Sequence, residues 1–216
     1  MIRTVIFDMD GVIVDSEPVH FSIEQQMFKE LGIKITFEKH ASFVGTSSRN
    51  MWEQIANKFA LAASPEELTS SEHERYMNFL NENPMIPVKG VVELIESLHA
   101  DGFKLLIASS SSVQVINRIL DKFRIQDYFS GIVSGTELEH SKPHPEIFLK
   151  TASLSGSRLD QCLVIEDSEN GVIAAKAAGM KCIGYINPNS GPQNLGKADL
   201  VINSFQELRP ETIRYV

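Results

Sequence analysis

The stretch TVIFDMDG, residues 4–11, decides the fold of this 216-residue chain. Its apolar run, residues 5–7, has no polar alternation, which is typical of a strand buried on both faces of a parallel sheet. The run ends in two carboxylates, Asp8 and Asp10, and open α/β sheets bind their ligands at the carboxyl ends of such strands. Because residues two apart on an extended chain point to the same side, both carboxylates are predicted to face one site.

Two carboxylates this close repel each other, and without a cation one of them would tend to hold a proton. The pair therefore predicts either a metal ion or a division of roles between an acid and a base. A lone D-x-D motif is more often a pair of solvated turn residues. The interpretation of Asp8 and Asp10 therefore depends on the rest of the chain.

From residue 88 onward, strand-like apolar runs alternate with helical patterns. Strands are predicted at 103–108, 131–133, 162–165, 181–186 and 200–202, and helices at 90–99, 113–123, 145–154, 171–178 and 205–208. Alternation of this kind predicts right-handed crossovers and a doubly wound parallel sheet, which is a Rossmann-like α/β fold.

The block between Ser16 and Pro87 contains no convincing strand. Helices are predicted from residue 17 to Gly32, from Ser47 or Ser48 to residue 59, and from Ser64 to about residue 80. We therefore predict an α/β core made of residues 1–15 and 88–216. An all-helical cap, residues 16–87, is predicted to be inserted directly after the first strand.

Four consecutive serines follow the second predicted core strand and precede a helix. The free N–H groups and positive potential of a helix N-terminus bind phosphate readily, so Ser109 and Ser110 are candidate phosphate ligands. The alternative is simple helix capping by Ser111 or Ser112. Four serines exceed what one cap needs, so we expect both roles.

Lys142 stands just before the helix predicted to begin near Pro145. A lysine at a helix N-terminus opposes the helix dipole, so its position is mildly unfavourable unless an anion lies beside it. A solvated surface lysine is the commoner alternative. By itself, Lys142 is therefore only a candidate anion-binding residue.

Glu166 and Asp167 follow another buried strand, and the alternative there is helix capping by Asp167 or Ser168. If these carboxylates converge with Asp8 and Asp10, their combined charge requires a hard divalent cation. Carboxylate oxygens suit magnesium, which typically joins one or two carboxylates to a substrate phosphate. The sequence therefore predicts a Mg²⁺ site.

Composition excludes several classes of function. With 28 acidic and 20 basic residues the formal net charge is -8, which opposes binding to nucleic acid. No apolar stretch approaches the length of a membrane span, and the first strand leaves no room for a signal peptide. Cys162 and Cys182 lack metal-ligand spacing and are predicted to be buried free thiols. We expect a cytoplasmic protein.

These four segments together resemble the motifs of the haloacid dehalogenase-like phosphohydrolases. Asp8-Met9-Asp10-Gly11 matches the first motif, Ser109 the second, Lys142 the third and Glu166-Asp167 the fourth. The resemblance covers essentially the whole chain, including the helical cap. It is greatest to the branch that contains β-phosphoglucomutase and the small sugar-phosphate phosphatases.

The resemblance implies a role for each matching residue. Asp8 would be the nucleophile that forms an aspartyl-phosphate, and Asp10 would be the general acid and then the general base. Ser109 and Lys142 would hold the phosphoryl oxygens. Charge neutralisation and positioning are what phosphoryl transfer demands of a protein.

The resemblance also implies the ligands of the metal. Asp8, the carbonyl oxygen of Asp10 and Asp167 would bind Mg²⁺, and Glu166 would be either a ligand or a neighbour that supports the ligands. Mg²⁺ is the expected cofactor.

The cap differs from that of the resembling mutases. Their Gly-x-Ser-Arg loop corresponds here to residues 45–49, with one residue more between glycine and arginine. Glu72 stands where they have a lysine four residues before a tyrosine, here Tyr76. A carboxylate there is expected to repel a second phosphate, which favours a phosphatase over a mutase.

Three further cap residues, Glu17, His20 and Arg49, are candidates for contacting the substrate, although a structural histidine and a surface arginine are the ordinary alternatives. The expected function is a Mg²⁺-dependent phosphatase of small phosphomonoesters, with sugar phosphates foremost. The alternatives are a hexose-phosphate mutase and a non-catalytic protein that binds a phosphorylated metabolite. We expect a monomer whose partner is a small phosphorylated molecule.

Overall fold

The computed structural model describes residues 1–216, and a six-stranded sheet forms its centre. The strands are β1 (Thr4–Phe7), β2 (Lys104–Ser109), β3 (Phe129–Ser134), β4 (Cys162–Glu166), β5 (Lys181–Tyr185) and β6 (Leu200–Ile202). The α-helices are α1 (Glu17–Glu30), α2 (Phe37–Ala41), α3 (Ser48–Phe59), α4 (Pro65–Glu82), α5 (Val91–Ala100), α6 (Val113–Phe123), α7 (Glu146–Ser155), α8 (Glu169–Ala177) and α9 (Pro210–Ile213). None of these helices has the length and apolar composition needed to cross a bilayer.

All strands of the sheet are parallel, in the order β3-β2-β1-β4-β5-β6. The strand order reverses at β1, which pairs with β2 on one side and with β4 on the other. This confirms the predicted doubly wound, Rossmann-like α/β fold. In such sheets the crevice at the reversal is where ligands bind.

The uninterrupted apolar run of β1 is explained by burial on both faces of the sheet. Val5 and Phe7 belong to a hydrophobic cluster that includes residues of α5 and α6. Ile6, which points the opposite way, belongs to a second cluster with residues of α7 and α8. The central strands therefore need no polar alternation, as the sequence indicated.

Helices α1–α4 lie between β1 and α5 in the chain, and α1, α3 and α4 share a hydrophobic cluster that includes Phe28, Trp52, Ile55 and Leu68. The chain leaves the core after β1 and returns through an antiparallel bridge between Val14 and Pro87. No strand occurs between these positions. The exact division into core and cap at residues 15/16 and 87/88 stays a prediction.

The sequence pattern does not indicate the short helices α2 and α9, whereas the short helix predicted around residues 205–208 is present as a 3₁₀ helix over Phe205–Glu207. Helices of four or five residues are too short to display a 3.6-residue periodicity. Elsewhere the predicted and observed ends differ by a few residues, which is the ordinary uncertainty at element ends.

Candidate active site

The register of the sheet brings the predicted site residues together. Phe7 of β1 pairs with Ile107 of β2 and with Ile165 of β4. One residue further along, Asp8 therefore lies at the level of Glu166, and its backbone N–H donates to the carbonyl of Ile165 at 3.0 Å. The nucleophile candidate thus sits in the crevice at the centre of the sheet.

Lys142 reaches this crevice from the loop before α7. Its Nζ donates to Asp8 Oδ1 and to Glu166 Oε1, each at 2.6 Å, and all three residues are buried. Burial alone would lower the pKa of Lys142, but the two carboxylates outweigh burial and raise it. The lysine therefore stays charged. The anions that stabilise its positive charge near a helix N-terminus are the carboxylates of Asp8 and Glu166.

Three buried carboxylates, Asp8, Glu166 and Asp167, offer oxygens that lie within 4.8 Å of one another. Burial raises the pKa of Asp8 and of Asp167 well above the usual range, and the charges of neighbouring carboxylates add to the effect. Lys142 supplies only one compensating charge. A buried set of oxygen donors with this excess of negative charge fits a hard divalent cation such as Mg²⁺.

Two glycines make room for the acidic cluster. Gly11 has a φ of 76°, and a Cβ on it would lie 2.0 Å from Asp167 Oδ2. A Cβ on Gly171, in the first turn of α8, would lie 1.7 Å from Glu166 Oε1. Any side chain at either position would displace a carboxylate of the cluster.

The hydrogen bonds of Glu166 favour a positioning role over direct metal binding. Its Oε2 accepts from the backbone N–H groups of Asp167 and Ser168 and from Ser168 Oγ, all at 2.9 Å. Its Oε1 is held by Lys142. Ser168 is also the residue that caps α8, since its Oγ accepts from the N–H of Gly171. Asp167 retains a free oxygen, because only Oδ2 accepts a hydrogen bond, from Ser190.

Asp10 is surrounded by hydrogen-bond donors. Its carboxylate accepts from Ser16 Oγ at 2.6 Å and from Ser111 Oγ at 2.7 Å, and Ser109 Oγ lies 3.4 Å away. Burial alone would raise the pKa of Asp10, but nearby His20 and the hydrogen bonds from the serines outweigh burial and lower it. The pKa values of Asp8 and Asp10 therefore move in opposite directions, and Asp10 is the carboxyl group of the two that ionises more readily.

His20 of α1 lies between two carboxylates. Its Nε2 is 3.6 Å from Asp10 Oδ1, and its Nδ1 is 3.8 Å from Glu72 Oε1. Burial would lower the pKa of His20, but these two partners raise it well above the usual value. A proton on His20 is thus held beside Asp10, which can exchange it during acid–base chemistry. The ring also packs against Tyr76, with centroids 4.1 Å apart.

Glu72 is not a free carboxylate. It is buried in α4, where its Oε2 accepts from Trp52 Nε1 at 2.6 Å and its Oε1 accepts from Ser48 Oγ at 2.9 Å. Both departures from the mutase pattern, Ser48 and Glu72, are therefore bonded to each other. The expectation that Glu72 repels a second phosphate stays a prediction.

The two predicted phosphate-binding serines lie at the carboxyl end of β2. Ser109 is buried, and its Oγ accepts from the N–H of Ser111 at 3.0 Å. Ser110 lines the cavity beside Asp10, and its Oγ donates to the carbonyl of Gly45 at 2.9 Å. Helix α6 is capped by Ser112, which leaves the preceding serines available for other contacts.

The cap candidates differ in their positions. Glu17 lines the cavity and has no hydrogen-bond or ion-pair partner in the protein; burial and nearby carboxylates raise its pKa to about 8. His20 also lines the cavity. Arg49 does not: its side chain is 71% exposed and donates to Glu66 at 3.0 Å. The structure therefore brings Glu17 and His20 to the site but leaves Arg49 on the surface.

The cavity itself has a volume of about 110 Å³ and lies between the strand ends and helices of the 16–87 block. Asn170 of α8 donates to the carbonyls of Ser42 and Val44, at 3.2 and 2.8 Å, and Gln193 donates to that of Ala41 at 3.1 Å. These bonds hold the cavity's helical wall against the sheet.

Sequence reasoning missed several residues of the site, namely Ser16, Glu24, His40, Ser111 and Ser190. Two signals could have found some of them. Glu24 follows Glu17 and His20 at helical spacing, so it belongs to the same face of α1. Ser190 lies in the loop after β5, at the sheet edge that already carried the other candidates.

Comparison with known proteins agrees with the fold and the site. Residues 5–185 match the family model of the haloacid dehalogenase-like hydrolases. The chain is 30% identical to the phosphorylated carbohydrates phosphatase of Thermotoga maritima, over 98% of this chain and 96% of that protein. It is 31% identical to the β-phosphoglucomutase of Bacillus subtilis, over 98% and 93% of the two chains.

A solved structure extends the comparison to three dimensions. The β-phosphoglucomutase of Clostridium difficile superposes with a TM-score of 0.86 at 29% identity, covering 99% of this chain and 96% of that one. With the family model matched over most of its length, the chain belongs to the haloacid dehalogenase-like hydrolases.

Proposed function

We propose that the protein is a Mg²⁺-dependent phosphatase of small phosphomonoesters, sugar phosphates foremost, that acts through an aspartyl-phosphate. One observation carries the proposal: Asp8 is buried at the strand end, bonded to Lys142 at 2.6 Å, and adjoins both an acidic cluster and a cavity. The relatives include both a phosphatase of phosphorylated carbohydrates and a sugar-phosphate mutase, which supports phosphoryl transfer on sugars.

In this mechanism Asp8 is the nucleophile. Its Oδ1 is held by Lys142, which leaves Oδ2 to attack phosphorus while the bond from phosphorus to the leaving alcohol breaks. Lys142 offsets the charge of the entering phosphoryl oxygens, and Ser109 or Ser110 positions them. Bound Mg²⁺, held by Asp8, Asp167 and the Asp10 carbonyl, would neutralise charge on the same oxygens. Covalent catalysis thus divides the displacement into two steps.

Asp10 serves both steps. It passes a proton from His20 to the leaving alcohol in the first step and accepts one from the attacking water in the second, which releases phosphate from Asp8. Its donors Ser16 and Ser111 fix the carboxylate, and His20 lies close enough to exchange its proton. Each step therefore has a proton donor or acceptor in place.

A hexose-phosphate mutase is the second candidate, favoured by the similarity to two β-phosphoglucomutases. A mutase must accommodate a bisphosphate, whose second phosphate needs a cation on the cap side of the cavity. Glu72 occupies that side, and Arg49 points away to Glu66. The charges on the cap side of the cavity therefore support water, rather than a second sugar hydroxyl, as the acceptor of the phosphoryl group.

The mechanism is tested with Asp8→Asn, assayed for phosphate release from an aryl phosphate and from sugar phosphates with Mg²⁺. We expect activity in the wild-type protein that a chelator abolishes, and loss of turnover in the variant with an unchanged circular dichroism spectrum. Asp127→Asn, at an exposed turn before β3, is the matched control. Wild-type-like turnover by Asp8→Asn would contradict the mechanism.

The choice between phosphatase and mutase needs a separate assay. Protein and Mg²⁺ are added to β-glucose 1-phosphate with a trace of glucose 1,6-bisphosphate, and free phosphate and glucose 6-phosphate are followed together. Phosphate without isomerised product supports the phosphatase. Glucose 6-phosphate without matching free phosphate would make the protein a mutase.

A further inference from the structure

The cap carries a second set of side chains with metal-binding atoms, separate from the acidic cluster at the strand ends. His20, Glu24 and Glu72 each offer one nitrogen or oxygen, and these three atoms lie within 4.8 Å of one another. All three side chains line the cavity. His20 and Glu24 are four residues apart on α1 and therefore share a helix face, whereas Glu72 comes from α4. No step of the proposed mechanism uses Glu24 or Glu72.

The two members of this set on α1 are each oriented by a residue outside it. The Nε2 atom of His20 lies 3.6 Å from an oxygen of Asp10, and the Nδ1 atom faces Glu72. Glu24 is held through Oε2 by the Nε2 atom of His40. Metal sites in proteins commonly have such outer partners, which fix the orientation of each ligand and the donor atom that it presents to the ion.

Glu72 is fixed in the same way, and a gap separates it from His20. Its oxygens accept from Trp52 Nε1 and Ser48 Oγ, at 2.6 and 2.9 Å, and each oxygen retains a further lone pair. The distance from Glu72 Oε1 to His20 Nδ1 is 3.8 Å, which is too long for a hydrogen bond. Two ligands of one Zn²⁺ ion lie roughly 3–3.5 Å apart, because the bonds from zinc to nitrogen and oxygen are about 2.0–2.2 Å long. A small movement of either side chain would therefore let one ion join the two atoms.

The carboxylate of Glu24 gives an independent indication of a ligand. Glu24 is only 9% exposed, yet its Oε1 has no hydrogen-bond partner in the protein. Burial and the charge of Glu72 raise the pKa of Glu24 in spite of the bond from His40. The protein therefore compensates this carboxylate incompletely. A divalent cation bound by the two carboxylates and a neutral imidazole would leave the set without net charge.

The donor types indicate the kind of metal. One imidazole nitrogen and two carboxylate oxygens suit zinc and its neighbouring transition metals, whereas the acidic cluster at the strand ends offers oxygen only, as Mg²⁺ prefers. Zinc sites with three protein ligands keep a fourth position for water or another small ligand. We propose that His20, Glu24 and Glu72 form a second metal site, which binds Zn²⁺ or a similar transition-metal ion within the cavity. This binding requires no hydrolysis, so its failure would leave the proposed phosphatase function standing.

Two reciprocal variants provide the test. Glu24→Gln removes a ligand of this site, Asp167→Asn removes a ligand of the proposed Mg²⁺ site, and both keep the shape of the side chain. Calorimetry measures Zn²⁺ binding with millimolar Mg²⁺ present, and Mg²⁺ binding in a separate titration. We expect Glu24→Gln to weaken Zn²⁺ binding by about 100-fold, since even the outer partners of metal ligands are worth about 10–100-fold. Mg²⁺ binding should be retained in Glu24→Gln, and Asp167→Asn should show the reverse pattern.

Exposed histidines are the main competing site for Zn²⁺. The rings of His140 and His144 lie 4.4 Å apart on the surface before α7. His144→Gln is therefore the matched control and should leave the Zn²⁺ affinity unchanged. Nitrogen NMR of the imidazoles adds a readout that needs no change to the ligands. In the wild-type protein, Zn²⁺ should shift the Nδ1 signal of His20 far more than its Nε2 signal.

Each outcome decides the proposal. Equal Zn²⁺ affinity in the wild-type protein and Glu24→Gln would overturn it, as would the absence of Zn²⁺ binding. Loss of binding in His144→Gln would place the ion on the surface pair, and loss only in Asp167→Asn would place it in the acidic cluster; either result overturns the proposal. If circular dichroism shows that Glu24→Gln does not fold, the His20 signals of the wild-type protein decide: an Nδ1 shift supports the site, and an unchanged signal at saturating Zn²⁺ overturns it.

Discussion

The buried ion pairs of Lys142 give the sharpest test of how this site is held together. Lys142→Met keeps a similar length of side chain but removes the charge that contacts Asp8 and Glu166. The side chains of these three residues are only 1%, 7% and 0% exposed, so water cannot replace the lost cation. The variant therefore leaves two buried carboxylates without their shared partner.

The expected cost follows from this burial. Removing one partner of a buried ion pair costs about 3–5 kcal/mol, because it leaves an uncompensated buried charge. That is a large part of the roughly 5–15 kcal/mol by which a domain is stable. The matched control is Lys176→Met. Lys176 also contacts a carboxylate at 2.6 Å, that of Asp199, but the two side chains are 33% and 20% exposed. A partly exposed pair is worth about 0–1 kcal/mol, and Asp199 keeps a second partner.

The assay is urea unfolding of the wild-type protein and both variants, with a chelator present so that no metal replaces the missing charge. The pH dependence adds a second readout. Without Lys142, the pKa of Asp8 in the folded state rises further above its unfolded value of about 4. Asp8 then stays protonated to a higher pH in the folded variant than in the folded wild-type protein, so the cost of Lys142→Met should grow with pH once pH exceeds the already raised pKa of Asp8 in the wild-type protein.

Equal unfolding free energies for Lys142→Met and Lys176→Met would refute the reasoning, since they would mean that burial does not strengthen the pair. A cost for Lys142→Met that does not grow with pH anywhere above the usual carboxyl range would refute the electrostatic account even if the variant were unstable. Loss of side-chain packing alone would produce such a constant cost.

Three other perturbations test separate features. Glu72→Ala leaves the buried N–H of Trp52 without an acceptor and should cost about 1–3 kcal/mol, whereas Glu72→Gln should cost less; urea unfolding followed by fluorescence of Trp52, the only tryptophan, measures both. Gly11→Ala should weaken Mg²⁺ binding, measured by calorimetry, because the new Cβ would displace a carboxylate of the acidic cluster. The control is Gly32→Ala: Gly32 has a similar φ of 68°, but no atom lies within 4 Å of a Cβ built there, so this variant should bind Mg²⁺ normally. The pKa of Glu17 is raised to about 8 in the folded protein, so ionisation of this carboxyl group destabilises the wild-type protein as pH rises from about 4.5 to 8. With a chelator present, the free energy of unfolding of Glu17→Gln should therefore increase relative to that of the wild-type protein over this pH range. A difference in unfolding free energy that does not change with pH would contradict the raised pKa.

Much of the core could be predicted because its signals are local. The apolar run before Asp8 and the similar run before Glu166 each indicated a doubly buried strand, and parallel pairing brings the ends of such strands to one edge. The pairing of Phe7 with Ile165 then follows from placing the two strands side by side. The position of Lys142 against both carboxylates could be anticipated only as a requirement for some nearby anion.

The cap could not be predicted to the same depth, because its contacts join helices that are distant in the chain. The bond from Trp52 to Glu72 spans 20 residues and depends on how α3 packs on α4. The pattern in the sequence identified Glu72 as a departure from the mutases but gave no reason to expect that its oxygens are occupied. The surface position of Arg49 likewise depends on Glu66, a partner 17 residues away that no motif indicates.

These contacts of Glu72 link the proposed choice of phosphoryl acceptor, water or a second sugar hydroxyl, to the stability of the cap. Trp52 is fully buried within the hydrophobic cluster shared by α1, α3 and α4, and its only polar atom is satisfied by Glu72. A cation at position 72 could not accept that hydrogen bond, so a wall suited to a second phosphate would require a different residue at position 52 as well. The carboxylate that we propose opposes a bisphosphate is therefore also part of the packing of the cap, and replacing it with a cation would carry a cost in folding.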